Sequence, residues 1–175
     1  MLRKLKQMIR DDRATAAIEA GLLFPLLVLI MCGTIDIGMG CLINQKAINA
    51  TQMISDLLSR SDTVSTANIN DAVIAGQLAF SPYPTTSYGY DIASVQFIGT
   101  SLTPTVQWRV TNNMQPNTTI TTKTAGLGQQ NEGVLAVTIT YTYHPIFTAF
   151  MVSPFVMTEE SYARSRKGNF IQKVG

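Results

Sequence analysis

Residues 14–43 read ATAAIEAGLLFPLLVLIMCGTIDIGMGCLI, and this stretch decides how the chain must be built. No charge occurs from Ala20 to Ile35, and apolar character resumes after Asp36 as far as Ile43. That is about the 20 residues a helix needs to cross the hydrocarbon core of a bilayer. Glu19 stands at the mouth of the run, five residues past Ala14. A cleaved secretory signal has no need of an acid there and carries a shorter apolar region. The expectation is a membrane-anchored chain.

Outward to the N-terminus, residues 1–13 carry Arg3, Lys4, Lys6, Arg10 and Arg13 against Asp11 and Asp12, while the rest of the chain is slightly acidic. Lys and Arg stay in the cytoplasm, so residues 1–14 are expected as a basic cytoplasmic leader, 15–43 as the transmembrane helix and 44–175 as a domain on the far side. Charge that sets topology is the simpler reading of the leader, and no nucleic-acid partner is expected. Cys32 and Cys41 lie nine residues apart, on opposite faces of one helix, and the external domain has no cysteine. Neither a disulfide framework nor a cysteine metal site is expected.

Within the span, Pro25 removes a backbone donor, which predicts a kink or a locally opened turn. Ala16 and Ala20, and Ala17 and Gly21, form small-xxx-small pairs. These let two membrane helices approach closely, although small residues are also simply common in such helices. The 17 steps from Glu19 to Asp36 correspond to about 25 Å of helix. That places Asp36 near the opposite interface, as an acid marking the exit or, alternatively, a buried proton-relay carboxylate.

Beyond the span the helix is expected to continue over 44–58. Ile43, Ala47, Ala50, Ile54 and Leu57 form an apolar stripe, with Asn44, Lys46, Asn49 and Gln52 off it. A second helix is predicted over Asn68–Phe80, with Asn68 as cap and Asp71 in the first turn. The period then changes to two. Ser94–Phe97 begins an alternation, Val106, Trp108 and Val110 alternate with polar residues, and so do Leu135, Val137, Ile139, Tyr141 and Tyr143. These predict strands of an antiparallel sheet with one face on a core and the other wet. The helical stripe is the natural cover, which gives an α+β fold: a long N-terminal transmembrane helix packed on an antiparallel sheet. Asn112–Gly133 exceeds ordinary connection length and is expected as a polar hairpin around Thr118–Thr124 or a mobile binding loop. A last edge strand is expected over Val156–Arg164, then an exposed basic tail from Arg164 to Lys173.

Catalytic signals are sparse. The one histidine, His144, stands beside a proline at a strand end. The external acids Asp62, Asp71, Asp91, Glu132, Glu159 and Glu160 are scattered, and the adjacent pair points to opposite faces of a strand. No phosphate loop, metal-spaced cluster or nucleophile elbow occurs. The expectation is a non-enzyme with no cofactor, no metal and no small-molecule substrate.

The segment RATAAIEAGLLFPLLVLIMCGTIDIGMG, with Glu19, Phe24-Pro25 and Asp36-Ile37-Gly38, resembles the N-terminus of TadE-like minor pseudopilins of the Tad (Flp, type IVc) pilus system. The C-terminal run VLAVTITYTYHPIFTAFMVSPFVMTEESYARSR is also similar to that family, whereas residues 60–130 are not. Two positions depart from the family pattern: Ala14 replaces the usual glycine, and Ala20 the usual aromatic. The resemblance implies cleavage between Ala14 and Thr15 by a prepilin peptidase. It also implies an inner-membrane location with a periplasmic domain, and a part in assembling or priming a pilus. Partners would be the peptidase, other pilins or pseudopilins, and the assembly platform. Glu19, Ala16, Ala17, Ala20, Gly21, Pro25 and Asp36 are the expected subunit-assembly residues. A new amine at Thr15 and the acid of a neighbour would pair at the lipid boundary. The alternatives are an uncleaved single-pass anchor presenting a binding module through the polar loop, and a membrane-anchored enzyme.

Overall fold

In the computed structural model, residues 12–149, 151–167 and 169–174 are described. The leader up to Asp11 therefore lies outside the described residues. One helix, α1, runs over Asp12–Ser59. It is followed by β1 (Thr63–Ser65), α2 (Thr66–Leu78), β2 (Gly89–Ile98), β3 (Thr103–Asn112), α3 (Ile120–Thr124), β4 (Gly133–Tyr143), β5 (Phe155–Arg164) and β6 (Gln172–Val174). A long apolar N-terminal helix and a four-stranded antiparallel sheet make this an α+β fold, as the sequence led us to expect. The chain divides into two compact units. One comprises the residues up to Gly40 with His144–Ser153, and the other Cys41–Tyr143 with Pro154–Gly175.

In the second unit the sheet order is β3-β2-β4-β5, all neighbours antiparallel. β5 is an edge strand, as expected for the last extended segment. Along α1 the buried large or aliphatic positions of the apolar stripe are Ile43, Ala47, Ala50, Ile54 and Leu58. The stripe thus ends at Leu58 rather than Leu57, which is 38% exposed. Spacings of four and of three both keep a residue near one helix face, so periodicity alone does not choose between them.

The central strands correct the expected wet face. Nearly every residue of β2 and β4 is buried, on both sides of the pleat. The second face is covered in part by residues 112–133, which do not pair as a hairpin and carry α3. Its Ile120 packs with Ala93, Val95 and Ala136 and against Val106 and Tyr162. Gly128 lets the following turn close over the Phe97 ring, since a Cβ there would stand 2.2 Å from Phe97 Cε2.

α2 also starts earlier than predicted. Ser65 is the N-cap, and Asn68 is the third helical residue of a capping box, its side chain accepting from the Ser65 backbone N–H at 2.9 Å. The helix ends at Leu78 rather than Phe80, and Phe80 instead enters an aromatic cluster with Tyr88 and Tyr141. The C-terminal tail is not simply exposed. Ile171 is buried, and its carbonyl accepts from Trp108 Nε1 at 2.7 Å and Ser94 Oγ at 2.9 Å. β6 pairs in parallel with β1.

Candidate assembly and membrane site

The first unit is built on the N-terminal part of α1. Every residue from Thr15 to Met31 is exposed, including Ile18 at 72% and Leu22 at 78%. α1 is long and apolar enough to cross a membrane, with a mean hydropathy of 2.3 over its most apolar window. Helix continues through Pro25, whose missing N–H leaves the carbonyl of Gly21 without its usual partner along the helix. Ala16, Ala17, Glu19, Ala20 and Gly21 all lie on this exposed helix. A Cβ placed on Gly21 would meet nothing within 4 Å. The Ala14–Thr15 bond falls in the opening turn of α1. An exposed apolar run of this extent, from Ala20 to Met31, marks a membrane or protein-interaction surface.

Asp36 is placed differently. It is only 4% exposed, and its carboxylate gathers donors from one turn of the same unit. The backbone N–H of Ile146 donates to Oδ1 at 3.0 Å, that of Phe147 to Oδ2 at 3.1 Å, and that of Thr148 to Oδ2 at 2.7 Å. The Thr148 hydroxyl adds a fourth donor at 2.7 Å. Such charge-assisted bonds contribute about 1.5–3 kcal/mol each, so this acid holds the 144–153 turn against the helix. An ionised carboxylate accepts at all its lone pairs, which explains why an acid rather than an amide suits the position.

In the second unit, charge is arranged as structural bracing on the α3 side of the sheet. Fully buried Asp91 accepts from the Asn117 backbone N–H at 2.8 Å and the Thr111 hydroxyl at 2.9 Å. Arg109 Nε lies 3.4 Å from the same carboxylate, an ion pair without hydrogen-bond geometry. The Asn117 side chain donates to Thr138 Oγ1 and to Glu160 Oε1, and Glu160 also receives Lys123 and the Tyr162 hydroxyl. Burial pushes the Glu160 carboxyl up. The bonds from Lys123, Tyr162 and Asn117 outweigh it and hold the group below the usual carboxylate range. Burial, and then the Glu160 charge, push the Tyr162 phenol upward. Near the end of α1, Arg60 first and then Arg166 keep Asp56 low, although burial opposes them. His144 is exposed. Among the described residues, no group of three or more His, Cys, Asp or Glu is placed to hold a metal ion.

The helix carrying Glu19, Pro25 and Asp36, with most of its apolar surface uncovered, is the part of the chain that comparison recognises. Residues 14–55 match the family of TadE-like proteins. The resemblance read from the sequence is borne out over that segment, which lies on the helix long and apolar enough to cross a membrane. Comparison with curated proteins and with solved structures gives no match. The TadE-like segment covers the exposed helix and most of the buried stripe, from Ile43 to Ile54.

The expected site residues thus separate into two groups. Thr15 to Pro25 share one exposed helix, whereas Asp36 is turned to its own chain. Sequence reasoning did not find Ile146, Phe147 and Thr148 as the partners of Asp36. The available signal was Thr148 itself, a lone hydroxyl in an apolar run just past His144-Pro145. It also missed Asn117, which joins Asp91 to Glu160 across strands far apart in sequence.

Proposed function

We propose that this chain is a minor pseudopilin that helps assemble or prime a Tad pilus. In this reading the inner membrane holds the helix and the periplasm the α+β domain. The observation that carries it is the coincidence of the TadE-like segment with a helix whose apolar side chains from Ile18 to Met31 are exposed among the described residues. A chain built to stand alone would bury that surface, whereas an assembly subunit offers it to lipid and then to other helices. A prepilin peptidase cuts between Ala14 and Thr15, and the new amine pairs with Glu19 of an adjacent subunit. Ala16, Ala17, Ala20 and Gly21 provide the close-approach face, and Pro25 frees a carbonyl for a neighbour. Asp36 serves the assembly indirectly, by fixing the turn beside the helix. The role is structural, without catalysis or cofactor, and the partners are other pilins or pseudopilins and the assembly platform.

The test is the N-terminal sequence and intact mass of protein recovered from membranes of its host, with Glu19→Ala alongside. A chain beginning at Thr15, and loss of pilus incorporation by Glu19→Ala with normal folding, are the expected results. A chain still beginning at Met1 removes the processing step. Normal piliation by the Glu19 variant removes the role of the acid.

A further inference from the structure

The turn held by Asp36 has a composition that its role as a connection does not require. Ile146, Phe147, Met151 and Val152 are 62, 48, 61 and 43% exposed. Four large apolar side chains therefore face outward from one short segment between β4 and β5. Five backbone N–H groups of the same segment are paired within the chain. The N–H groups of Ile146, Phe147 and Thr148 go to Asp36, and those of Met151 and Val152 go to the Thr148 carbonyl at 2.8 Å each. A turn in water needs no such provision for its amides, because solvent would pair them. In the boundary layer of a bilayer, unpaired amides are costly and apolar side chains are welcome.

Position along the helix selects the occupant. The turn belongs to the same compact unit as the residues up to Gly40 and is tied to α1 at Asp36. Asp36 lies 17 residues past Glu19, or about 25 Å along a helix, against a hydrocarbon core of about 30 Å. With Glu19 at one face of the membrane, Asp36 and the turn it holds come to the opposite face. We infer that the 144–153 turn is a second membrane contact, with Ile146, Phe147, Met151 and Val152 entering the interfacial layer of the bilayer that α1 crosses. This rests on the reading of α1 as a membrane span. A helix alone is free to rotate and shift in depth, and a second contact fixed to it at one level restricts both motions. The subunit would then meet its neighbours at a set height and rotation.

Tryptophan placed in the full chain reports the contact, because the chain has a single native tryptophan, Trp108, as internal reference. The variants Phe147→Trp and Leu27→Trp are compared with the parent in phosphatidylcholine vesicles containing lipid brominated either high or low on the acyl chain. The added emission of Phe147→Trp should be lost chiefly to the high-brominated lipid and that of Leu27→Trp chiefly to the low-brominated one. The parent emission should hardly change. Quenching of Leu27→Trp by lipid, with Phe147→Trp quenched only by aqueous iodide, overturns the membrane contact and leaves the span intact. If lipid quenches neither variant, the span reading fails and the contact with it. Shielding of Phe147→Trp that bromolipid does not quench and that rises with protein-to-lipid ratio assigns the turn to a second copy instead. Ile146→Trp provides the same readout should Phe147→Trp fold poorly, and the same outcomes decide it.

Discussion

Replacing Asp36 with alanine removes every acceptor for three backbone amides and the Thr148 hydroxyl at once. The expected local cost is at least about 3 kcal/mol, equivalent to roughly a hundredfold or more faster exchange of amides 146–148. Central β4 amides, in the other compact unit, should keep their protection, and hydrogen exchange on the detergent-solubilised chain checks both. Asp36→Asn should fall between, because an amide accepts only through its single carbonyl oxygen. Unchanged exchange in the alanine variant would mean that the carboxylate is not what holds the turn. That an acid stood near the end of the span was legible in the sequence. Its partners were not, since they lie about 110 residues away and act through backbone groups, which leave no mark in residue type.

Among the elements, α3 and the turn after it decide whether the second face of the sheet is covered. Gly128→Ala sets a Cβ 2.2 and 2.3 Å from two atoms of the Phe97 ring, and Phe97 is fully buried. Overpacking of this kind costs about 1–3 kcal/mol, which thermal unfolding should register as a lower Tm. Gly76→Ala is a useful contrast. Its Cβ would meet Ile54 Cδ1 at 2.7 Å, the far end of a flexible side chain. Alanine also gains up to about 1 kcal/mol in helix propensity, so Gly76→Ala should lower Tm less than Gly128→Ala. Equal effects would show that Phe97 gives way as easily as Ile54. The excess length of Asn112–Gly133 was visible beforehand, but its fate was not. Ile120 is one apolar residue among threonines, and only the pairing of β2 with β4 creates the pocket it fills.

Across the molecule, acid sensitivity should follow the low carboxylates. Glu160 and Asp56 are both held below their ordinary values of 4.5 and 3.8 in the folded chain. A depressed folded pKa contributes stability that is fully present above the unfolded value and is lost as pH falls through the folded one. The chain should therefore keep its Tm from pH 7 down to near those ordinary values and lose stability below them. Glu160→Gln should be less stable at pH 7 and show a shallower decline on acidification. A parallel decline in parent and variant, measured by thermal melts across that range, would remove Glu160 from the account.

By itself the sequence determined the long apolar helix, the switch from helical to alternating periodicity and hence the α+β class. It did so because periodicity and unbroken hydropathy are local properties of the chain. The resemblance of residues 14–55 to TadE-like proteins was equally readable, being carried by neighbouring residues. Tertiary structure alone decided which acid points outward and which is turned to its own chain, and how the 112–133 segment is used. It also decided where the tail is pinned, by Trp108 and Ser94 on the Ile171 carbonyl. Each of these depends on groups distant in sequence meeting at hydrogen-bond or van der Waals distance, and such meetings exist only once the sheet has formed and the 144–153 turn has closed on the helix.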